Sequence, residues 1–212
     1  LETTQHRIQM NMLIESLQEH LEAAGVTAYV AGNNFLYYRR RPPGFVGPDV
    51  YVVLGRRERF QRSYVVWEEE GRYPDVVIEL LSESTERIDR GVKRRLYQTV
   101  FRTPEYYLYD PLDGRFEGYR LRGARYAPIR PGPTGLLPCR TLGLALGRWE
   151  GWLRWFTREG HLLPTARERA DQERARADQE RARAEQERAR AEQERARAER
   201  LAARLRALGL DE

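Results

Sequence analysis

Three acids and a lysine, Asp49, Glu79, Asp89 and Lys93, stand at intervals that suggest a reactive cluster. Glu79 interrupts the apolar run Val76, Val77, Ile78, Leu80, Leu81, which is short enough to be a buried strand. A carboxylate in such a strand is costly unless something pairs with it. Asp49 opens a second run, PDVYVVLG. If the two strands are neighbours, Asp49 and Glu79 converge at one end of a sheet. Two carboxylates at that separation repel unless a cation lies between them. Hard oxygen ligands without Cys or His point to Mg²⁺ or Mn²⁺. An ion so placed polarises a phosphoryl oxygen and lowers the pKa of an attacking water, the chemistry of phosphodiester hydrolysis. Lys93 is the first lysine in the chain, amid many arginines. A lysine can trade a proton where an arginine cannot. It follows Asp89 by four residues, so both fall on one face of a helix. Lys93 would hold developing charge, or orient or deprotonate water, and Asp89 would position it.

Each residue also has a plain structural role to weigh. Glu79 could be a core carboxylate paired with an arginine. Asp49, after Pro48, could be a turn residue at a strand start. Lys93 and Asp89 could form a surface i,i+4 pair worth only about 0.3–0.5 kcal/mol. Asp75, after Pro74, reads as the opening residue of its strand rather than a ligand. His6 and Glu15 could reach the site from the first helix but read as incidental.

The elements that must position these residues follow from periodicity. Residues 7–24 form an amphipathic helix, with Ile8, Met12, Leu13, Leu17 and Leu21 at helical spacing and Gly25 as a stop. TAYVAG, NFLYYRRR and DVYVVLG read as strands, and RSYVVWEEE adds another. The strand at 75–81 leads through a Ser82–Thr85 turn into a helix over 87–100, with Leu96 and Val100 on one side. EYYLYD is a strand stopped by Pro111, and GRFEGYRLRGARYAPI is a hairpin turning near Arg122-Gly123. In 143–164, Trp149, Trp152, Leu153 and Phe156 share one helical face, an aromatic stripe that packs on the core. From Ala170 to Arg197 a seven-residue unit, ADQERAR or AEQERAR, repeats in strong helix formers. Acids and arginines three and four apart lace its surface with ion pairs. Its alanines alternate in spacing and give no single stripe; only Leu201, Leu205 and Leu208 have coiled-coil spacing. Both a solvated single helix and a coiled coil fit, the latter pairing copies of the chain at the leucine end. The expected domains are 1–165 and a tail, 166–212, whose 13 arginines and 12 acids make it no polycation for DNA.

The 212 residues carry a formal charge of +5, compatible with a polyanion partner but weak evidence alone. The single cysteine, Cys139, excludes an intrachain disulfide, and His6, His20 and His161 show no zinc-ligand spacing. No run is long enough to span a membrane and the first residues lack a signal layout. The expectation is a soluble cytoplasmic protein with no membrane partner.

PDVVIELLSESTERIDRGVKRRLY followed by TPEYYLYDP closely resembles the Uma2 family of restriction-endonuclease-like proteins, within the PD-(D/E)XK nuclease superfamily. The matching residues run in order: Pro48-Asp49, Glu79, Ser82-Glu83-Ser84-Thr85, Asp89, Lys93, Tyr97, Glu105-Tyr106 and Asp110-Pro111. The resemblance covers about residues 5–165. It implies an α/β fold, a restriction-endonuclease-like mixed sheet flanked by helices in three layers, followed here by the charged helical tail. It implies Asp49 and Glu79 as metal ligands, Mg²⁺ or Mn²⁺ as cofactor, and DNA as substrate. In one respect the sequence departs from the pattern. The superfamily places lysine two residues after the glutamate, where this chain has Leu81, so Lys93 would supply the amine from the next helix. Two functions remain open at this point. One is a metal-dependent DNA endonuclease. The other is a non-catalytic nuclease-fold module that assembles through its tail.

Overall fold

A computed structural model describes residues 3–57 and 62–207. The chain divides into two compact units, Leu1–Thr165 and Ala166–Glu212.

The first unit is built on a six-stranded mixed sheet ordered β1-β4-β6-β7-β8-β9. The strands are β1 (Ala28–Ala31), β4 (Val50–Leu54), β6 (Val76–Leu80), β7 (Glu105–Tyr109), β8 (Phe116–Arg122) and β9 (Arg125–Pro128). Within this sheet, among the described residues, only β6 and β7 pair in parallel, which requires a crossover between them. The helical run at 86–101 supplies it. Central strands β4, β6 and β7 are buried on both faces, so they read as continuous apolar or aromatic runs rather than alternating ones.

One face of the sheet, carrying Val50, Val52, Val76, Ile78, Leu80 and Tyr107, packs against α1 (Thr4–Ala23) and a three-stranded sheet. That sheet is β10 (Leu137–Cys139), β11 (Leu144–Trp149) and β12 (Trp152–Phe156). Helix α1 buries Met10, Leu13, Leu17 and Leu21, ends before Gly25 at φ 68°, and turns Ile8 outward. Gln9, fully buried, pairs its amide with Leu153 N and O at 2.8 Å each and so extends β12 like a further strand.

Residues 143–164 correct the sequence reading. They form the β11–β12 hairpin, not a helix with an aromatic stripe. Glu150 and Gly151 both take positive φ, 50° and 83°, between the paired Trp149 and Trp152. A two-residue turn of this kind matches the strand twist and fixes a hairpin. The relevant period is two: Leu144, Leu146, Leu153 and Trp155 enter the core, while Trp149 stays 46% exposed.

The other face, with Tyr51, Val53, Val77, Leu81, Tyr106 and Leu108, packs against the 86–101 run and a small sheet. That sheet joins β2 (Phe35–Arg39), β3 (Gly44–Val46) and β5 (Ser63–Val65). The run alternates α2 (Glu86–Ile88), a π-helical stretch Asp89–Lys93, α3 (Arg94–Leu96) and a second π stretch Tyr97–Phe101. Its buried line is Asp89, Tyr97 and Phe101, with Lys93 beside them; Val100 is 48% exposed, so the expected Leu96–Val100 face is not the buried one.

Glu105 ties the two sheets together. It is 1% exposed and accepts Arg120 Nε at 2.8 Å and Nη2 at 2.6 Å, Arg140 N at 3.1 Å and Thr141 N at 3.0 Å. Burial opposes the charge, but the Thr141 N–H and Arg120 outweigh it and hold the carboxyl below its ordinary range.

The second unit is one helix, α4 (Ala166–Ala207), of 42 residues and about 63 Å at 1.5 Å per residue. No described side chain in it is buried within this chain, and Leu201 and Leu205 lie exposed; Leu208 falls outside the described residues. Among the described residues no helix is long and apolar enough to cross a membrane.

Candidate active site

The β4–β6 register places Val50 across from Ile78, and Asp49, one residue earlier, across from Glu79. Opposed residues in an antiparallel pair share a face. The two acids therefore meet at one sheet end, as their spacing suggested. Asp49 N lies 3.3 Å from Glu79 Oε2, and Leu80 N donates to Asp49 Oδ2 at 2.7 Å. Gly32 makes this approach possible: a Cβ there would run into the Asp49 carbonyl. Asn33 N then donates to Pro48 O at 3.1 Å, clamping the loop that delivers Asp49.

The helical run brings in the rest. Residues 89, 93 and 97 are four apart. A regular α-helix turns in 3.6 residues, so such a series would drift around its surface. Wider π turns offset the drift and keep the three aligned toward Glu79. Lys93 Nζ lies 3.0 Å from Glu79 Oε2, 2.9 Å from Asp89 Oδ1 and 3.1 Å from Gly47 O. Tyr97 donates its hydroxyl to Glu79 Oε1 at 2.7 Å, and Tyr106 donates to Asp89 O at 2.9 Å. Lys93 and Asp89 are thus not a surface pair: their side chains are 17% and 1% exposed. Glu79 is paired with the only lysine in the chain rather than with an arginine. Leu81, where the superfamily pattern has lysine, is an apolar wall residue 2% exposed.

Burial pushes the Glu79 carboxyl well above its ordinary range, against the pull of Lys93. Burial raises Asp89 as well, again with Lys93 opposing. For Lys93 burial pulls the ammonium down, but Glu79 and Asp89 outweigh it and leave the pKa above the usual lysine range. Burial and the Glu79 charge keep Tyr97 protonated. The two carboxylates thus favour the ammonium form of Lys93.

The cluster opens onto a cleft of about 540 Å³ whose wall includes His6, Asn33, Asp49, Ser82, Ser84 and Thr85. His6 Nε2 sits 3.1 Å from Asp49 Oδ1, so the histidine that read as incidental stands at the cleft. Ser82 Oγ is 3.1 Å from Ser84 Oγ and 3.0 Å from Thr85 Oγ1, a group of hydroxyls at the mouth. Asp75 accepts Leu54 N at 2.7 Å and serves its strand, and Glu15 is exposed on α1. The reading from residues missed Tyr97 as a partner of Glu79. Its signal was the continued four-residue spacing from Asp89 and Lys93.

A carboxylate offers about four acceptor positions. Glu79 uses three, for Tyr97, Lys93 and Asp49 N, and Asp49 uses two, for Leu80 N and His6. Acceptor capacity remains on both, and it is oxygen. Among the described residues no group of three or more His, Cys, Asp or Glu side chains is arranged to hold a metal ion. Asp49 lines the cleft and Glu79 lies buried directly behind it, and this pair of oxygen donors fits Mg²⁺ in kind, because that ion keeps several waters and takes only one or two protein carboxylates.

A family model described as "Putative restriction endonuclease", Uma2, matches residues 2–150. The chain belongs to the Uma2 family. The match contains every residue of the cluster, from His6 to Tyr97. No curated protein matches the chain. Among solved structures, a "putative nuclease" of DUF820 from Anabaena variabilis is similar at 17% identity and a TM-score of 0.48, over 66% of this chain and 74% of that one. The Uma2 unit thus has the expected fold class, a restriction-endonuclease-like α/β arrangement around a mixed sheet.

Proposed function

We propose that the cleft hydrolyses DNA phosphodiester bonds with a divalent cation, Mg²⁺ or Mn²⁺, held by Asp49 and Glu79. The supporting observation is the meeting of Asp49, Glu79 and Lys93 at one sheet end beside an open cleft. A bound divalent ion would supply Lewis-acid polarisation of the phosphodiester and acidify water. Leu80 N orients Asp49, whose Oδ1 faces His6. Tyr97 and Lys93 hold the Glu79 side chain from either oxygen. Lys93 stays cationic and offsets negative charge developing on the phosphate, while Asp89 fixes its position. Ser82, Ser84 and Thr85 offer hydroxyl donors to phosphate oxygens at the mouth.

Supercoiled, linear duplex and single-stranded DNA, incubated with the full chain and Mg²⁺, Mn²⁺ or EDTA, test this reading. Cleavage should need the ion and vanish in Asp49→Ala and Glu79→Ala. If Glu79→Ala cleaves as well as the wild type, the assignment is wrong. If no substrate is cut under any condition, the alternative of a non-catalytic module stands.

A further inference from the structure

A second cleft, of about 540 Å³, lies where the β8–β9 edge of the main sheet meets β10. Four arginines line it, Arg120, Arg122, Arg130 and Arg140, and no acid does. Arg120 is committed to Glu105 and to the Pro138 carbonyl. The guanidinium groups of Arg122, Arg130 and Arg140 have no ion-pair or hydrogen-bond partner among the described residues. Elsewhere in this unit, arginines such as Arg56, Arg90 and Arg115 are paired with carboxylates. Here three are gathered in a concavity without counter-charge. Arg122 also stands directly across from Arg125 in the β8–β9 register. Like charges so placed are destabilising, and an anion would relieve them.

The walls are stiff. Pro128 and Pro138 fix their own φ angles, and Arg140 N is anchored on Glu105. Planar, always-charged forks on such walls suit phosphate oxygens, which guanidinium groups bind in pairs. The site is separate from the acidic cluster. Glu79 is level with Leu108, whereas Arg120 is level with Glu105, three residues away along β7. Arg122 lies two residues further, so the offset along the strands is about 10–17 Å at 3.3 Å per residue.

We propose that this cleft is a phosphate-binding site, taking the closely spaced phosphates of an oligophosphate group through Arg122, Arg130 and Arg140. The shared chemistry is a run of phosphate oxyanions, carried by a free oligophosphate or by a nucleic-acid backbone, and the titration separates the two sources. The inference does not rest on the cleavage reading, because binding here requires no metal.

The test is calorimetric titration of the full chain, in EDTA, with inorganic tripolyphosphate and separately with a single-stranded 12-mer. Wild type, Arg122→Gln/Arg130→Gln and Asp49→Ala are compared. Wild type and Asp49→Ala should bind tripolyphosphate saturably at one site. The double variant should bind it about 100-fold more weakly, roughly tenfold per guanidinium lost. Its thermal midpoint should not fall, since both side chains are exposed and Arg122 faces Arg125. A parallel loss for the 12-mer, with the log K against log salt slope falling by about 1.4 for two contacts, assigns a nucleic-acid source. Loss confined to tripolyphosphate assigns a free oligophosphate. No saturable binding of either probe, or equal binding by the double variant, overturns the proposal.

Discussion

Lys93→Met removes the single ammonium shared by two buried carboxylates while keeping the apolar stem. Glu79 is fully buried and Asp89 is 1% exposed, and Lys93 Nζ lies within 3.0 Å of both. Stripping one partner from a buried ion pair costs about 3–5 kcal/mol, because the other charge is left uncompensated. At a urea m-value of about 2 kcal/mol/M, the unfolding midpoint should fall by about 2 M at pH 7.5 in EDTA. The deficit should also depend on pH. Both carboxyls are raised in the folded state even with Lys93 present. A carboxyl whose folded pKa exceeds its unfolded value, about 4.3 for Glu and 3.9 for Asp, stabilises the fold below that unfolded value and loses the contribution as pH rises through the folded one. Without Lys93 both values rise further, so moving from pH 7.5 to 5.5 should shrink the deficit. The wild-type Lys93 contribution is constant over this window, because it is lost only above about pH 10.4. Urea unfolding followed by tryptophan fluorescence reads both effects. A deficit below about 1 kcal/mol, or one equal at the two pH values, would refute the shared-cation account.

Tyr97→Phe should cost about 1.5–3 kcal/mol in urea unfolding, since it deletes a 2.7 Å hydrogen bond to a buried carboxylate. Gly32→Ala should lower stability by about 1–3 kcal/mol, because its Cβ meets the Asp49 carbonyl, and should weaken Mg²⁺ binding measured by calorimetry. Glu105→Gln should cost about 3–5 kcal/mol at pH 7. Because the folded Glu105 pKa is depressed, its contribution exists above about pH 4.3 and disappears as pH falls through the folded value. The wild-type urea midpoint should therefore drop more steeply from pH 5 to 3 than that of Glu105→Gln.

Much of this site was legible because its requirements are chemical. An acid inside an apolar run must be answered by something, and Glu79 is answered by Lys93 and Tyr97. The convergence of Asp49 with Glu79 followed from strand neighbourhood alone, and the β4–β6 register realises it. The hairpin at 144–156 was not legible through apolar spacing, since Trp149, Trp152, Leu153 and Phe156 satisfy a helical period by coincidence. The decisive signal was Glu150-Gly151, a turn pair able to take positive φ. The buried face of 86–101 was misplaced for a different reason. Leu96 with Val100 and Tyr97 with Phe101 have the same four-residue spacing, so spacing could not choose between them, and the two rings, one position on, take the core.

Leu81 is apolar because of where it lies. On a strand, the residue two after Glu79 shares its face, and here that position packs in the second core with Val77 and Tyr97. An ammonium there would replace apolar contacts with a desolvated charge. A helix offers another route, provided successive residues reach the same carboxylate. Lys93 and Tyr97 do so from a run wound more loosely than an α-helix. Such wide turns weaken the backbone ladder and are kept mostly where side-chain placement requires them. Lys93 is thus aimed at Glu79 from the helical run rather than from the strand. Asp89 holds its ammonium from behind, and Gly47 O and Glu79 Oε2 hold it from the site side. The position of the cation is set by three oxygens on three different segments, so it is a property of the assembled fold rather than of a local motif.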